Sequence, residues 1–459
     1  MSPQPSAPRP WVIATALTPL PTPGFFVALG QALVAQGTPV TFLSAPRPKT
    51  AVPDAETATP DIAVAAATGT AVAHWPSPRP TGIKDLVFAW RLLRRLRPAG
   101  LIANFGAVTP LLLAGWLARV PVRIAWYHTL SDYDAYDPRL TPRRLRWLNW
   151  RRRQVYRLAT HVIAVSAAAR QNAIQAFGIA PEKCLVIPNA MRDPLEEFPD
   201  LQNVNVGNPL FRKGGSQTLR QTFLHPLRIP QAAQGQQTTT GTVGSCLRNP
   251  QKQQKFWEGV LGSTLFQKGG PNIFPQKGVP NRFLLCVGTL HRAKGQDILV
   301  RAMARLKTAL PELRCVFFGE GPAAAELRQL AAELEIADQC YFAGNRPRLE
   351  VLQAMQQAAV VVCPSRSEAF GYVVLEAMAL GRPLVAAAAG GIPEIVRAGL
   401  DGKLFPAGDD QALAVALHHV LSNPQETAAW GRHGRECFLA QFELSQRLPG
   451  LIQPFEMLF

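Results

Sequence analysis

Short runs that are apolar throughout alternate along this chain with longer stretches of mixed polarity. Trp11–Ala16, Pro39–Ser44, a run within 61–73, Leu101–Phe105, Val122–Tyr127 and His161–Ser166 have the first character. Phe25–Gln36, Leu86–Leu96, Leu111–Ala118, Arg143–Arg157 and Ala167–Phe177 have the second. Uniformly apolar runs predict strands buried on both faces, as in a parallel sheet, and the mixed stretches predict the helices between them. Gly37 follows the first predicted helix, where glycine ends helices readily. The alternation resumes later with Arg282–Val287, Arg314–Phe318, Tyr341–Gly344, Ala358–Cys363, Pro383–Ala387 and Gly402–Pro406 as strands. Helices are expected up to Leu306, over Ala323–Leu334, from about Val373 to Leu380, and over Ala412–Leu421. Two such βα series predict an α/β protein with two Rossmann-like, doubly wound domains.

The two series are separated by a different kind of sequence. Residues 200–280 are rich in Gln, Gly, Asn and Thr, and Leu-Phe-Arg-Lys-Gly-Gly at 210–215 nearly recurs at 265–270. Such repeated polar pieces predict a disordered insertion or linker rather than packed structure. The expected organisation is a first domain over 1–199, this insertion over 200–280, a second domain over 281–428, and a helical tail over 429–459.

The densest candidate chemistry lies in Cys363–Ile395. A strand ends at Cys363, a polar loop carries Glu368, and Gly371 precedes a helix that carries Glu376. Gly390 and Gly391 then follow the next short strand. The amides of Phe370, Gly371 and Tyr372 open that helix, and unpaired N–H groups at a helix N-terminus favour a diphosphate. Carboxylates on either side can accept hydrogen bonds from sugar hydroxyls. Together these are the makings of a nucleotide-sugar site. An ordinary strand–helix–strand unit with surface glutamates is the bland alternative.

The segment S-x-x-E-x-F-G-x-x-x-x-E-A-M-A-x-G-x-P-L-V-A, followed by G-G-x-P-E, resembles the Glu-x7-Glu signature of family 4 (group 1) retaining glycosyltransferases. That resemblance implies the GT-B fold: two Rossmann-like domains facing across a cleft, with a C-terminal helix crossing back to the first. It implies a retaining, metal-independent transfer of a sugar from a nucleoside diphosphate sugar. The donor is a substrate, so no cofactor is expected, and no metal site. By the same resemblance Glu368 orients the donor sugar, Glu376 holds the ribose, and Lys294, in G-T-L-H-R-A-K-G after the strand ending at Val287, meets the diphosphate. Gly288 and Thr289 open that loop, with Thr289 where the family often has arginine; Arg292 is a candidate to supply the missing charge. Gly319 and Gly321 in G-E-G-P allow tight passage near the donor, Arg346 faces the base, and Phe370 and Gly371 lie beside the phosphates. His128, at the end of a first-domain strand, matches a histidine near the transferred sugar. The match is partial at the first loop, where Gly24 stands alone, and at Ile187-Pro188-Asn189-Ala190, where Ala190 replaces a glycine.

Composition adjusts this picture. The 459 residues carry a net charge of +17, but 201–280 holds nine Lys or Arg against one Glu, so about half the excess sits in the insertion. Anionic partners are expected, chiefly the donor phosphates; nucleic acid is not. Arg143–Arg157 places seven arginines beside Trp147 and Trp150, a pattern suited to an anionic membrane surface. The acceptor is then lipid-linked, a saccharide or a small molecule. The seven cysteines show neither metal-ligand nor disulfide spacing. The Pro- and Ser-rich N-terminus lacks a signal-peptide pattern, so a cytoplasmic location is expected, with possible peripheral attachment at the inner membrane face. Two other readings stand beside transfer: a GT-B epimerase or phosphorylase, and a non-catalytic binding protein.

Overall fold

The computed structural model describes residues 8–15, 21–45, 70–203 and 283–456. The expected insertion therefore lies, but for its first residues, outside the described part of the chain. Two sheets organise the molecule, and every strand pair in them is parallel. The first runs in the order β3-β2-β1-β4-β5-β6-β7, with β1 Trp11–Ala14, β2 Val40–Ser44, β3 Ala71–His74, β4 Gly100–Ala103, β5 Val122–Tyr127, β6 His161–Ala164 and β7 Cys184–Val186. The second runs β10-β9-β8-β11-β12-β13, with β8 Phe283–Val287, β9 Arg314–Phe318, β10 Cys340–Gly344, β11 Val360–Cys363, β12 Leu384–Ala387 and β13 Lys403–Phe405.

The uniformly apolar runs explain the pairing. All four residues of β1, β4, β11 and β12 are buried, which suits strands covered by helices on both faces. Each sheet winds outward from its first strand, then returns to add strands on the other side. The reversal falls between β1 and β4 in the first domain and between β8 and β11 in the second. Ligands of open α/β sheets bind at the carboxyl ends of strands flanking such a reversal.

Helix ends follow local chemistry. Thr141 caps Pro142–Tyr156 by accepting from the Arg144 amide at 3.3 Å, with Pro142 in the first turn where its missing N–H costs nothing. Ser166 caps Ala167–Phe177, and Gly178 ends it in the left-handed conformation. Some boundaries differ from expectation. The first helix is Pro21–Ala35, so Gly24 belongs to its opening turn rather than to the preceding loop. Arg348–Gln357 is a helix that the polar stretch after Gly344 did not announce. Pro424–Gln441 is continuous across 428 and packs on Tyr372–Ala379 of the second domain. The crossing back thus occurs at Phe442–Leu444, not at 429: the Met191 amide donates to Phe442 O, and the Leu444 amide donates to Met191 O. The last helix, Leu444–Glu456, then lies against Pro21–Ala35. Ala190, buried next to this crossing, is absent from the positive-φ residues, so its methyl costs no backbone strain.

Candidate functional site

At the β8/β11 reversal two loops meet. The loop after β8 carries Lys294, and the loop after β11 carries Glu368, 74 residues later. The Arg366 and Ser367 amides donate to Ala293 O at 2.8 and 3.2 Å, stitching the loops together. Lys294 Nζ donates to Glu368 Oε2 at 2.7 Å, and Ser365 Oγ donates to the same oxygen at 3.2 Å. Both side chains are mostly buried, Lys294 25% and Glu368 16% exposed. Burial works against the lysine's charge, but the Glu368 carboxylate outweighs it, and the Lys294 pKa rises above its ordinary value. An ammonium has three donors, so Lys294 can hold Glu368 and a phosphate together.

Gly371 caps Tyr372–Ala379 with φ 108°, a conformation glycine adopts without penalty. Among the described residues, neither the Phe370 nor the Gly371 amide donates to a protein acceptor. Phe370 itself is buried, its ring edge-on to Phe442 of the crossing segment at 6.2 Å. Glu376 lies inside the same helix and is buried. Arg348 Nε donates to Glu376 Oε1 at 3.5 Å, while Arg348 Nη1 donates to both oxygens of first-domain Glu197 at 2.6 Å. Burial pushes the Glu376 carboxyl up, against the opposing pull of Arg348.

The glycine positions have a steric cause. The Gly319 amide donates to Gly344 O, joining the ends of β9 and β10. A Cβ on Gly319 would stand 2.1 Å from Gly288 O, and one on Gly321 would stand 2.3 Å from Leu290 O. The loop after β8, with Gly288 and Thr289, is thus packed directly on the G-E-G-P turn. Thr289 O accepts from Gln296 Nε2 at 3.0 Å. Arg346 donates to Ala343 O at 3.1 Å and lies 3.9 Å from Glu350 at the end of β10. Arg292 does not restore the charge missing at Thr289: its guanidinium forks onto Glu326 at 3.0 and 3.1 Å on the exposed side.

His128 lies in the first domain at the end of β5. Its Nε2 is 2.6 Å from Asn104 Oδ1, an acceptor, so Nε2 carries the proton and Nδ1 is left as an acceptor. Its ring stacks at 4.6 Å and 8° on Phe105, which follows the end of β4 with φ 48° and is about half exposed. Phe26 and Trp126 complete the aromatic surroundings. Burial holds the His128 pKa down to about 3. These partners all belong to the first domain, so His128 is not joined to the Lys294–Glu368 pair.

The first domain reaches the pair by other residues. Asp132 Oδ1 accepts from Ser367 Oγ at 2.7 Å, and Ser166 Oγ donates to Ala369 O at 2.6 Å. Glu394 accepts from the Ala167 and Ala168 amides at 2.7 and 2.8 Å, and Tyr133 stacks on His291 at 4.7 Å. Sequence reading missed Asp132, Ser166, Glu197, Arg348, Asn104 and Phe105 as site components. Only Ser166, in the Val-Ser pair before a helix, and Asp132, in Asp-Tyr-Asp, carried any local signal.

Two family models match the chain: "Glycosyltransferase Family 4" over residues 25–192 and "Glycosyl transferases group 1" over 272–437. The chain is 39% identical over 197 residues to the D-inositol 3-phosphate glycosyltransferase of Thermobifida fusca, covering 40% of this chain and 45% of that one. It is 32% identical over 171 residues to a GDP-mannose-dependent alpha-(1-6)-phosphatidylinositol monomannoside mannosyltransferase of Mycolicibacterium smegmatis, covering 36% and 45%. The chain thus spans less than half the length of either relative. In fold it is similar to Anabaena Alr3699/HepE in complex with UDP-glucose, with a TM-score of 0.63, 17% identity and coverage of 98% and 100%. It is also similar to sucrose-phosphate synthase of Thermosynechococcus elongatus, with a TM-score of 0.64, 20% identity and coverage of 98% and 99%.

Proposed function

The chain belongs to the family 4, group 1 glycosyltransferases with the GT-B fold, and from that premise we propose that it moves a sugar from a nucleoside diphosphate sugar to a hydroxyl acceptor. The observation that carries this reading is the Lys294–Glu368 pair at the β8/β11 reversal, beside the amides that open Tyr372–Ala379. The transfer we propose retains the anomeric configuration and uses no metal ion or cofactor. The bond between the sugar's anomeric carbon and the phosphate oxygen breaks, and the acceptor oxygen bonds to that carbon on the same face. The acceptor's proton passes to the departing phosphate. Negative charge grows on the diphosphate as it leaves, where the Lys294 ammonium and the Phe370 and Gly371 amides stabilise it. Glu368 accepts from donor-sugar hydroxyls and Glu376 from the ribose, while Gly288, Thr289, Gly319, Gly321 and Arg346 shape the donor side. His128, neutral, offers Nδ1 to a sugar or acceptor hydroxyl.

The relatives' names support a donor of the GDP-mannose or UDP-glucose class and an acceptor that is a phosphorylated polyol or a glycolipid. A lipid-borne acceptor calls for a membrane-facing surface. Pro142–Tyr156 has no buried residue, and Trp147 and Trp150 are 53% and 59% exposed among Arg143, Arg144, Arg146 and Arg151. We assign this face to anionic headgroups at the inner surface of the membrane. No helix among the described residues is long and apolar enough to cross a membrane.

The test is thermal melting against UDP, GDP and ADP and their sugars, with K294A and E376A alongside. A ligand at 100 times its Kd adds about 2.7 kcal/mol to stability. The proposal expects one donor to raise the wild-type Tm, the variants to lose that response, and labelled sugar to reach an acceptor. A folded protein that responds to no nucleotide, or that only epimerises or releases the sugar, overturns it.

A further inference from the structure

Glu368 is gripped from the opposite domain on both sides. The residue before it, Ser367, donates its hydroxyl to Asp132 at 2.7 Å, and Asp132 lies in the first-domain loop after β5. The carbonyl of the residue after it, Ala369, accepts from Ser166 Oγ at 2.6 Å in a fully buried contact. Both contacts cross more than 200 residues of chain. Two further bonds support them: Glu394, next to the Gly390-Gly391 turn, accepts from the Ala167 and Ala168 amides that follow Ser166. That turn is itself tied to Glu368, whose carbonyl accepts from the Gly391 amide at 3.0 Å. A Cβ on Gly391 would stand 2.5 Å from Ala369 O and 2.9 Å from Ser166, so the domains touch there without clearance.

Within its own domain the Glu368 loop is held as well, with the Arg366 guanidinium forked onto Asp297 at 2.6 and 2.7 Å. It leans on Ala293 O through the Arg366 and Ser367 amides, and the Glu368 carboxylate meets Lys294 and Ser365. Lys294 is also the group expected to turn toward phosphate. When the donor draws on Lys294, the orientation of Glu368 depends on what holds its backbone.

We infer that Asp132 and Ser166 are positioning residues: closure of the first domain onto Ser367 and Ala369 sets the Glu368 carboxylate in its working orientation. Asp132 contributes an acceptor oxygen rather than a charge, because its partner is a neutral hydroxyl. The Asp132-Tyr133-Asp134 motif thereby has a role that needs no metal, with Tyr133 stacking on His291 beside the same loop. The part played by Glu368 rests on the proposed transfer, but the coupling between the domains does not.

The test is hydrogen exchange of the full-length, ligand-free protein, read in peptides covering 364–371, for wild type, D132A, S367A and D132A/S367A. Loss of one such bond to a carboxylate oxygen corresponds to exchange faster by about tenfold. The expected result is that increase in both single variants, no further increase in the double variant, unchanged exchange in β13, and recovery in D132N, which keeps an acceptor oxygen. S367A removes a single hydroxyl and carries the test should D132A fold poorly. Exchange equal to wild type in the single variants, or additive effects in the double, overturns the inference. With a donor in hand, the same variants should lower kcat about tenfold while the donor's KM stays within about twofold; an equal loss in both overturns the assigned role. A wild type that transfers no sugar but shows the coupled exchange strikes the proposed function and leaves the clasp standing.

Discussion

A histidine held neutral makes an acid-sensitive prediction. An unfolded histidine takes up a proton near pH 6.5, whereas the partly buried imidazole of His128, desolvated by its surroundings, does so only at about 3. Between those values the unfolded chain binds more protons, so stability is full above pH 6.5 and falls as pH falls toward 3. From pH 7 to pH 5 this one group should remove about 1–2 kcal/mol from wild type by linkage, and H128Q should lack that loss. Urea unfolding of both proteins at the two pH values checks it; equal pH dependence would mean that His128 titrates normally. The same depression has a chemical side. Sugar transfer should show no rising limb from His128 between pH 5.5 and 7.5, because Nδ1 is an acceptor throughout. At this scale the sequence reading identified the residue types and left their partners unstated. His128 was legible as a strand-end histidine, but the Asn104 bond and the Phe105 stack depend on β4 and β5 being neighbours, which no spacing within either strand encodes.

Among the elements, Pro424–Gln441 is tied to the end of the first domain by one buried ion pair. Arg435, on Pro424–Gln441, donates to Asp193 Oδ1 at 2.6 Å and to Ala379 O at 2.5 Å, and its other terminal nitrogen meets Asp193 Oδ2. Asp193, only 3% exposed, also caps Pro194–Glu197 through the Leu195 amide. R435A strands that carboxylate without its cation, which should cost about 3–5 kcal/mol. Urea unfolding measures this loss, and a change under 1 kcal/mol would show that the pair is not what ties Pro424–Gln441 to Asp193. The helices themselves were largely legible, since caps such as Thr141, Ser166 and Gly178 act within one turn. Arg348–Gln357 escaped because it opens after Pro347 with no capping side chain and only part of one face buried.

For the whole molecule, charge and shape together predict where it sits. If the Trp147–Trp150 face meets anionic lipid, the protein should sediment with phosphatidylserine-containing vesicles at low salt. Each arginine near such a surface contributes about 1 kcal/mol, and salt screens that attraction. Binding should drop in W147A/W150A and at 1 M salt, while neutral vesicles should bind weakly at all salts. Equal binding to neutral vesicles, or none to anionic ones, would remove the membrane assignment. The same helix also bears on the cleft loop, because Arg152 on its inner flank pairs with Asp134 at 2.7 Å. The surface that would meet lipid is therefore one helix away from the loop that reaches Glu368.

The sequence by itself determined the two parallel sheets and the helix N-terminus at Gly371, and it marked Lys294, Glu368 and Glu376 as candidates. The elements rest on patterns a few residues long, unbroken apolar runs for strands buried on both faces and a glycine before a helix, and the candidates rest on the resemblance to the family's motif. Tertiary structure alone decided that Lys294 meets Glu368, that Arg348 links Glu376 to Glu197, and that Asp132 and Ser166 grip the Glu368 loop from the other domain. It also turned Arg292 away to Glu326, against expectation. The reason is physical. Side chains 74 or 235 residues apart become neighbours only through strand order and domain closure, and those are settled by burial of the whole core rather than by any local run of residues.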